Sequence, residues 1–295
     1  MNPIKKIYNL SPRPIQSLMS FAYHSLFINP RYFFKSFRYF LRLKLDFFRL
    51  IGIKYKKLIR VKKFLFLPEG YDLICESFND QLYKPLFGCN KILGLGAYVG
   101  DADIFLAQGC KIIHTFEPEK YKFEIMQKNI LLNNLSSKIF PHNYAVANSN
   151  KKSLLIKKES QMDVSSSVTE YNDYKSKIEE EVPCMSIDNA LKLDKFDGLK
   201  CDIEGAEWGI IEYFLNSKNW DFNKAIFELH FSKKNYVGEE KILKNFLNFL
   251  KSKNYKFSFY HNLKQIKKKK KFASFKIKEK FQKRNYAAIM LYIKK

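Results

Sequence analysis

Asp202-Ile203-Glu204 and Glu228-Leu229-His230 each set two ionisable side chains two residues apart, and in an extended chain that spacing points both the same way. Carboxylates and imidazoles at such positions can take a proton from a poor nucleophile such as a hydroxyl. A second feature binds rather than reacts. Gly94-Leu95-Gly96-Ala97-Tyr98-Val99-Gly100 is a glycine-rich turn, and Glu117 lies 21 residues beyond Gly96. Glycines let a ligand approach the backbone, and a carboxylate about 20 residues later can accept hydrogen bonds from ribose hydroxyls. Together these residues point to a nucleoside-bearing ligand held beside proton-transferring groups. A carboxylate cluster can also hold a divalent metal, but the spacing fixes no ligand set and none is assigned.

The elements that must position these residues alternate strand and helix, the pattern of an α/β fold. Residues 91–95 read as an apolar strand feeding the glycine turn, and 101–108 as the next helix. Residues 111–117 form a second strand ending on Glu117, and 119–133 a strongly amphipathic helix. A third strand lies in 139–147 and ends near Asn143. Residues 148–181 are polar, with Ser165-Ser166-Ser167, and read as loop with a marginal hairpin. A strand over 182–187 precedes a short helix capped by Asp188. Residues 198–203 form a buried strand ending at Asp202 and Glu204, and a helix follows over 207–215. Strand 224–230, helix 238–252, strand 255–260, a basic excursion over 264–284 and strand 285–293 complete the chain. Ligands of open α/β sheets bind outside the carboxyl ends of the strands, where the glycine turn, Glu117, Asp202, Glu204, Glu228 and His230 fall. The competing structural roles are Asp202 as a helix cap, Glu207 as a first-turn helix carboxylate and His230 as a buried, satisfied histidine.

The glycines are spaced one residue wider than a dinucleotide fingerprint, whose third glycine would fall at Val99. That spacing suits a different nucleoside, and S-adenosylmethionine enzymes use this looser loop. Gly96-Ala97-x-x-Gly100-Asp101, Phe116-Glu117-Pro118, Lys200-x-Asp202-Ile203-Glu204-Gly205-Ala206-Glu207 and Glu228-Leu229-His230 resemble the FkbM-type S-adenosylmethionine-dependent methyltransferases. The resemblance runs from about Asp72 to the C-terminus. It implies a Rossmann-like class I methyltransferase fold, a seven-stranded mostly parallel sheet with helices on both faces. It also implies S-adenosylmethionine as methyl donor and O-methylation of a hydroxyl, often on the sugar of a glycan, glycolipid or related metabolite. The cofactor would lie against Gly94, Gly96, Ala97, Tyr98, Gly100, Glu117, Pro118, Asn143 and Asp202. Asp202 sits near the methyl donor or at the base position, with His230 or Glu204 as the competing base. Two positions depart from the family's Asp-x-Gly-Ala-Asn loop: Gly94 replaces the Asp and Tyr98 the Asn. Either other groups rebuild cofactor affinity or it is reduced. A non-catalytic descendant acting as a binding or scaffold protein is therefore the alternative reading, in which restoring Asp at 94 and Asn at 98 would create cofactor binding.

Charge divides the chain into three. Residues 1–66 hold 15 Lys and Arg against one Asp, and 251–295 hold 16 against one Glu, while 67–250 carry 22 basic and 27 acidic residues. Six of the seven arginines fall in the first 60 residues, and the planar guanidinium suits phosphate. The expected division is a basic, aromatic-rich helical extension over 1–66 and a methyltransferase domain over 67–295. Within the extension, Phe33, Phe37, Phe40, Phe47, Phe48 and Ile51 follow helical spacing. Such a helix can lie on an anionic membrane surface through residues 30–63, or pack on the catalytic body. Nucleic-acid methylation is favoured by charge alone, without a recognition motif. No apolar run is long enough to cross a bilayer and no signal peptide is evident. Five cysteines without a CxxC pair read as reduced thiols in a cytoplasmic protein, peripheral on the inner face of the membrane if the helix binds lipid.

Overall fold

The computed structural model describes residues 58–69, 74, 77, 78, 81–149, 151–158, 178–261, 264, 265 and 286–295. The chain divides into two compact units, Met1–Arg60 and Val61–Lys295, and the second carries the main sheet and its helices. Residues 30–57 of the expected amphipathic helix, Ser165–Ser167 and nearly all of the basic excursion lie outside the described residues, while at the helix's expected end Ile59–Val61 form a short strand instead.

In chain order the elements are β1 (Phe64–Phe66), β2 (Lys91–Leu95), α1 (Asp101–Leu106), β3 (Ile112–Phe116), α2 (Lys120–Leu132), β4 (Ile139–His142), β5 (Ala145–Ala147), β6 (Ser153–Lys158) and β7 (Ile178–Ser186). Then come α3 (Ile187–Leu191), β8 (Gly198–Cys201), α4 (Glu207–Ser217), β9 (Lys224–Ser232), α5 (Tyr236–Ser252), β10 (Lys256–His261), β11 (Lys264–Gln265) and β12 (Tyr286–Lys294). The main sheet has the order β11-β10-β12-β9-β8-β2-β3-β4. β4, β3, β2, β8 and β9 run parallel, whereas β12 is antiparallel to both β9 and β10. Seven strands plus the two-residue β11 make the expected mostly parallel sheet. Strand order reverses between β2 and β8. Right-handed crossovers then put the helices that follow β2 and β3 on one face and those after β8 and β9 on the other.

The main core explains the aromatic composition. Phe214, Trp220, Phe227, Phe246 and Tyr255 are buried in one cluster. Trp220 meets Phe214 and Phe246 edge-on, with ring centroids 5.0 and 5.3 Å apart, the geometry in which ring quadrupoles attract.

Two local expectations need correction and one is sharpened. Within 148–181, residues 153–158 and 178–181 form the arms of the expected hairpin: β6 pairs antiparallel with β7, and β7 pairs parallel with β5, in a three-stranded sheet, while 159–177 lie outside the described residues. Its charge made it read as marginal, because Lys158 is buried and its ammonium pairs with Glu119, at 2.6 Å, and with Glu180. Asp188 does not cap α3; the Ser186 hydroxyl accepts from the Asn189 N–H at 3.2 Å. Helix α2 is less cleanly amphipathic than its sequence, since Lys122 and Asn129 sit on its buried side. Asn129 donates to the Val99 carbonyl and accepts from the Leu67 N–H, tying β1 and the glycine turn to the helix.

Candidate functional site

The ends of β2 and β8 meet where strand order reverses. At Gly96 (φ +80) an added Cβ would lie 1.7 Å from the Asp202 carbonyl oxygen, so only glycine lets the two strand ends approach. The Gly96 and Ala97 N–H groups donate to the Phe116 carbonyl at 3.1 and 3.0 Å, and the Lys200 ammonium donates to the Gly96 carbonyl. Glu117, at the end of β3, accepts from the Tyr98 N–H through Oε2 at 2.8 Å and from the Glu119 N–H through Oε1 at 3.0 Å. Burial pushes its carboxyl up to about 7, against the pull of Lys122 and with a push from Glu119. Each oxygen keeps a second lone pair, so the group can still accept from a ribose diol. Asn143 clamps this corner, donating from Nδ2 to the carbonyls of Glu117 and Pro118 at 2.9 Å each.

Tyr98 occupies a left-handed conformation, φ 53. Its ring forms part of the cavity wall, and the Lys122 ammonium stands 5.3 Å from its centroid. Lys122 in turn pairs with Glu119.

The other side of the cavity is a charge cluster. β8 stops at Cys201, and the next residues turn rather than extend, with Glu204 at φ 52. Glu207, fully buried, holds that turn by accepting from the Ile203 N–H at 2.8 Å and the Gly205 N–H at 3.0 Å. Strand alternation therefore does not aim Asp202 and Glu204 together. The turn brings both to the cavity instead. Asp202 caps no helix; its Oδ2 accepts from the Tyr83 hydroxyl at 2.9 Å and lies 3.8 Å from Lys200 Nζ.

His230, 5% exposed, sits behind the carboxylates. Its Nδ1 is 3.2 Å from Glu207 Oε1, and its Nε2 is 3.5 Å from Glu204 Oε2 and 4.0 Å from Glu228 Oε1. Burial alone would lower its pKa, but Glu207, Glu204 and Glu228 outweigh it and hold the ring well above its ordinary 6.5. Glu228 is pushed up to about 8 by its withdrawal from solvent and by Asp202, although His230 pulls the other way.

Gly96, Ala97, Tyr98, Glu117, Pro118, Asp202 and Glu204 thus line one cavity. Gly94, Gly100, Asn143 and His230 do not reach it. Gly94 faces inward, where an added Cβ would stand 3.1 Å from Asp103 Oδ1 and 3.2 Å from Thr115 Oγ1. The buried Asp103 already places a carboxylate beside that position, so an aspartate at 94 would meet a like charge. Gly100 (φ +81) is the N-cap of α1, where a Cβ would press on Met126. Sequence reasoning named Glu228 only as the partner of His230 on its strand and left Tyr83, Ser77 and Lys122 unnamed, although all four line the cavity. No motif marks those three.

The glycine turn, the strand-end carboxylate and the reversal of strand order make a nucleoside crevice. The model of the FkbM methyltransferase domain matches residues 95–257, more than half of the chain. The chain belongs to that family. Residues 95–257 are thus a methyltransferase FkbM domain. No curated protein sequence matches it. Among solved structures it is similar to Trm5b from Pyrococcus abyssi, at 9% identity and TM-score 0.42, over 81% of this chain and 55% of that one. It is also similar to methyltransferase FkbM from Methylobacillus flagellatus, at 14% identity and TM-score 0.38, over 69% of this chain and 43% of that one. A third is the O-methyltransferase from Bacillus cereus solved with S-adenosylhomocysteine, at 13% identity and TM-score 0.38, over 75% and 80% of the two chains. The chain thus spans about half the length of the first two. The residues present fit the cofactor: Gly96, Ala97 and Tyr98 line the cavity beside Glu117, which retains acceptor capacity for a ribose.

Proposed function

We propose that the protein transfers a methyl group from S-adenosylmethionine to a hydroxyl oxygen, on a sugar of a glycan, glycolipid or related metabolite. When bound, S-adenosylmethionine supplies the methyl group from its sulfonium and leaves as S-adenosylhomocysteine. The observation that carries this reading is a single cavity with two unlike walls. One wall is the glycine turn with Glu117, suited to a nucleoside. The other, formed by Asp202, Glu204, Glu228, Tyr83 and Ser77, is dense in groups that hydrogen-bond a hydroxyl-rich acceptor.

In this reading Glu117 takes the ribose hydroxyls and the Gly96–Tyr98 backbone carries the rest of the donor. Positioning donor and acceptor in line is the main requirement of the displacement. The acceptor hydroxyl must lose its proton, and His230 is an unsuitable base because its carboxylate neighbours keep it protonated. Glu204 is the better choice. It lines the cavity, and the turn anchored by Glu207 fixes its direction. Asp202, tethered by Tyr83, orients the acceptor.

The test is incubation of the purified chain with methyl-labelled S-adenosylmethionine and a panel of sugar nucleotides and lipid-linked sugars. Label on a sugar oxygen is the expected result. Label on nitrogen, or on RNA or DNA, would replace this reading with the nucleic-acid one. Absence of S-adenosylhomocysteine binding by calorimetry would leave the non-catalytic reading, which draws on Glu117 already serving the Tyr98 and Glu119 amides. For residues 30–63 we propose docking on an anionic membrane, which predicts sedimentation with phosphatidylserine vesicles and none with neutral ones.

A further inference from the structure

We propose that Asp202, Glu228 and His230 form a binding site for a divalent first-row metal ion on the acceptor wall of the cavity. One ligand atom from each residue can be chosen so that all lie within 4.8 Å of one another. Metal–ligand bonds of about 2.0 to 2.2 Å put neighbouring ligand atoms roughly 3 to 4 Å apart, so small side-chain rotations suffice. Two carboxylates alone would be ordinary at a strand end. The buried imidazole sets this cluster apart, because its orientation is fixed from behind. His230 Nδ1 faces Glu207 Oε1 at 3.2 Å, and Glu207 is itself anchored by the Ile203 and Gly205 N–H groups. The His230 carbonyl is held by the Trp208 indole N–H at 2.7 Å. A carboxylate on one imidazole nitrogen, leaving the other to face carboxylates, is the outer shell that orients metal-ligating histidines.

The mixed imidazole and carboxylate set favours manganese, iron, cobalt or zinc over calcium or magnesium. Nε2 gives up its proton to take the ion, as any histidine ligand must. Asp202 and Glu228 both line the cavity, so the remaining coordination positions open towards it, as at catalytic rather than structural metal sites. A cation there polarises an acceptor oxygen and makes its proton easier to remove. That consequence rests on the reading of the cavity as a methyl-transfer site; the binding of the ion does not. Glu204 remains outside the ligand set and keeps its role towards the proton.

The experiment is titration of Mn2+ into the EDTA-treated, dialysed full chain, read by calorimetry and by loss of the free-ion paramagnetic resonance signal. One saturable ion per chain is expected, with affinity reduced at least tenfold in Asp202→Asn, Glu228→Gln and His230→Gln, and unchanged in Glu179→Gln on β7. Circular dichroism and thermal unfolding identify any variant that fails to fold, and for such a variant Glu228→Asp, which keeps the charge and moves the oxygens, must weaken binding instead. No saturable binding, or equal binding by wild type and all three ligand variants, overturns the proposal. S-adenosylhomocysteine binding is measured on the same samples. Cofactor binding without Mn2+ binding fails the metal site alone, and Mn2+ binding without cofactor binding fails the methyl-transfer reading alone.

Discussion

The two walls of the cavity are built by different means. The glycine-turn wall is mostly backbone: Gly96 against the Asp202 carbonyl, N–H groups shared between loop and β3, and one carboxylate gripping the amides beside it. The carboxylate wall is mostly side chain: Asp202, Glu204 and Glu228 line it, with the buried Glu207 and His230 behind them. A backbone wall tolerates little change in shape and much change in charge. A side-chain wall has the opposite sensitivity.

Gly96→Ala is the strongest challenge to that contrast. With 1.7 Å between the new Cβ and a backbone oxygen, the β2 and β8 ends must separate, at a cost of about 3 kcal/mol or more. Loss of S-adenosylhomocysteine binding should accompany a large drop in the urea midpoint. An unaltered midpoint would show the wall is not set by backbone contact. On the other side, Glu207→Ala should cost about 3 kcal/mol, because it leaves a buried imidazolium and two N–H groups without their acceptor. Glu207→Gln retains an acceptor and should lose less. Chemical denaturation of both variants ranks them, and equal losses would mean charge is irrelevant there.

Smaller effects sharpen the picture. Gly94→Asp combined with Tyr98→Asn brings the loop to the family pattern, yet it should lower stability by about 1–2 kcal/mol and not strengthen S-adenosylhomocysteine binding, because Asp103 occupies the space. Calorimetry showing tighter binding would restore the view that the natural loop is decayed. Glu117→Gln should weaken S-adenosylhomocysteine about tenfold, the loss of a charge-assisted hydrogen bond to ribose, and should lower stability by about 1 kcal/mol, because its amide nitrogen cannot accept from one of the Tyr98 and Glu119 N–H groups.

Finally, pH tests both walls together. Glu228 titrates near 8 and Glu117 and Glu239 near 7, all above their ordinary 4.5. His230 is held above 6.5. Between pH 6.5 and 8 the folded chain therefore retains protons that the unfolded chain has lost, so stability falls as pH rises. Thermal unfolding across that range checks the sign, and Glu228→Gln should flatten the slope.

The sequence carried the fold further than it carried the site. β2, its glycine turn and Glu117 were legible because each depends on residues close together in the chain: an apolar run, glycines at positive φ and a carboxylate one strand later. Alternating apolar strands and helices then left few arrangements of the sheet. The hairpin of β6 and β7 read as marginal because Lys158 reads as surface until Glu119 and Glu180 are brought against it. Spacing correctly paired Glu228 with His230 on β9, but for Asp202 and Glu204 it relied on an extension that ends at Cys201. What only tertiary structure decided was the charge each group carries. Asp103 beside Gly94, Tyr83 on Asp202 and Glu207 behind His230 are contacts between segments far apart in sequence. Protonation follows from burial and from the nearest charge, and neither is a property of a residue and its neighbours in the chain.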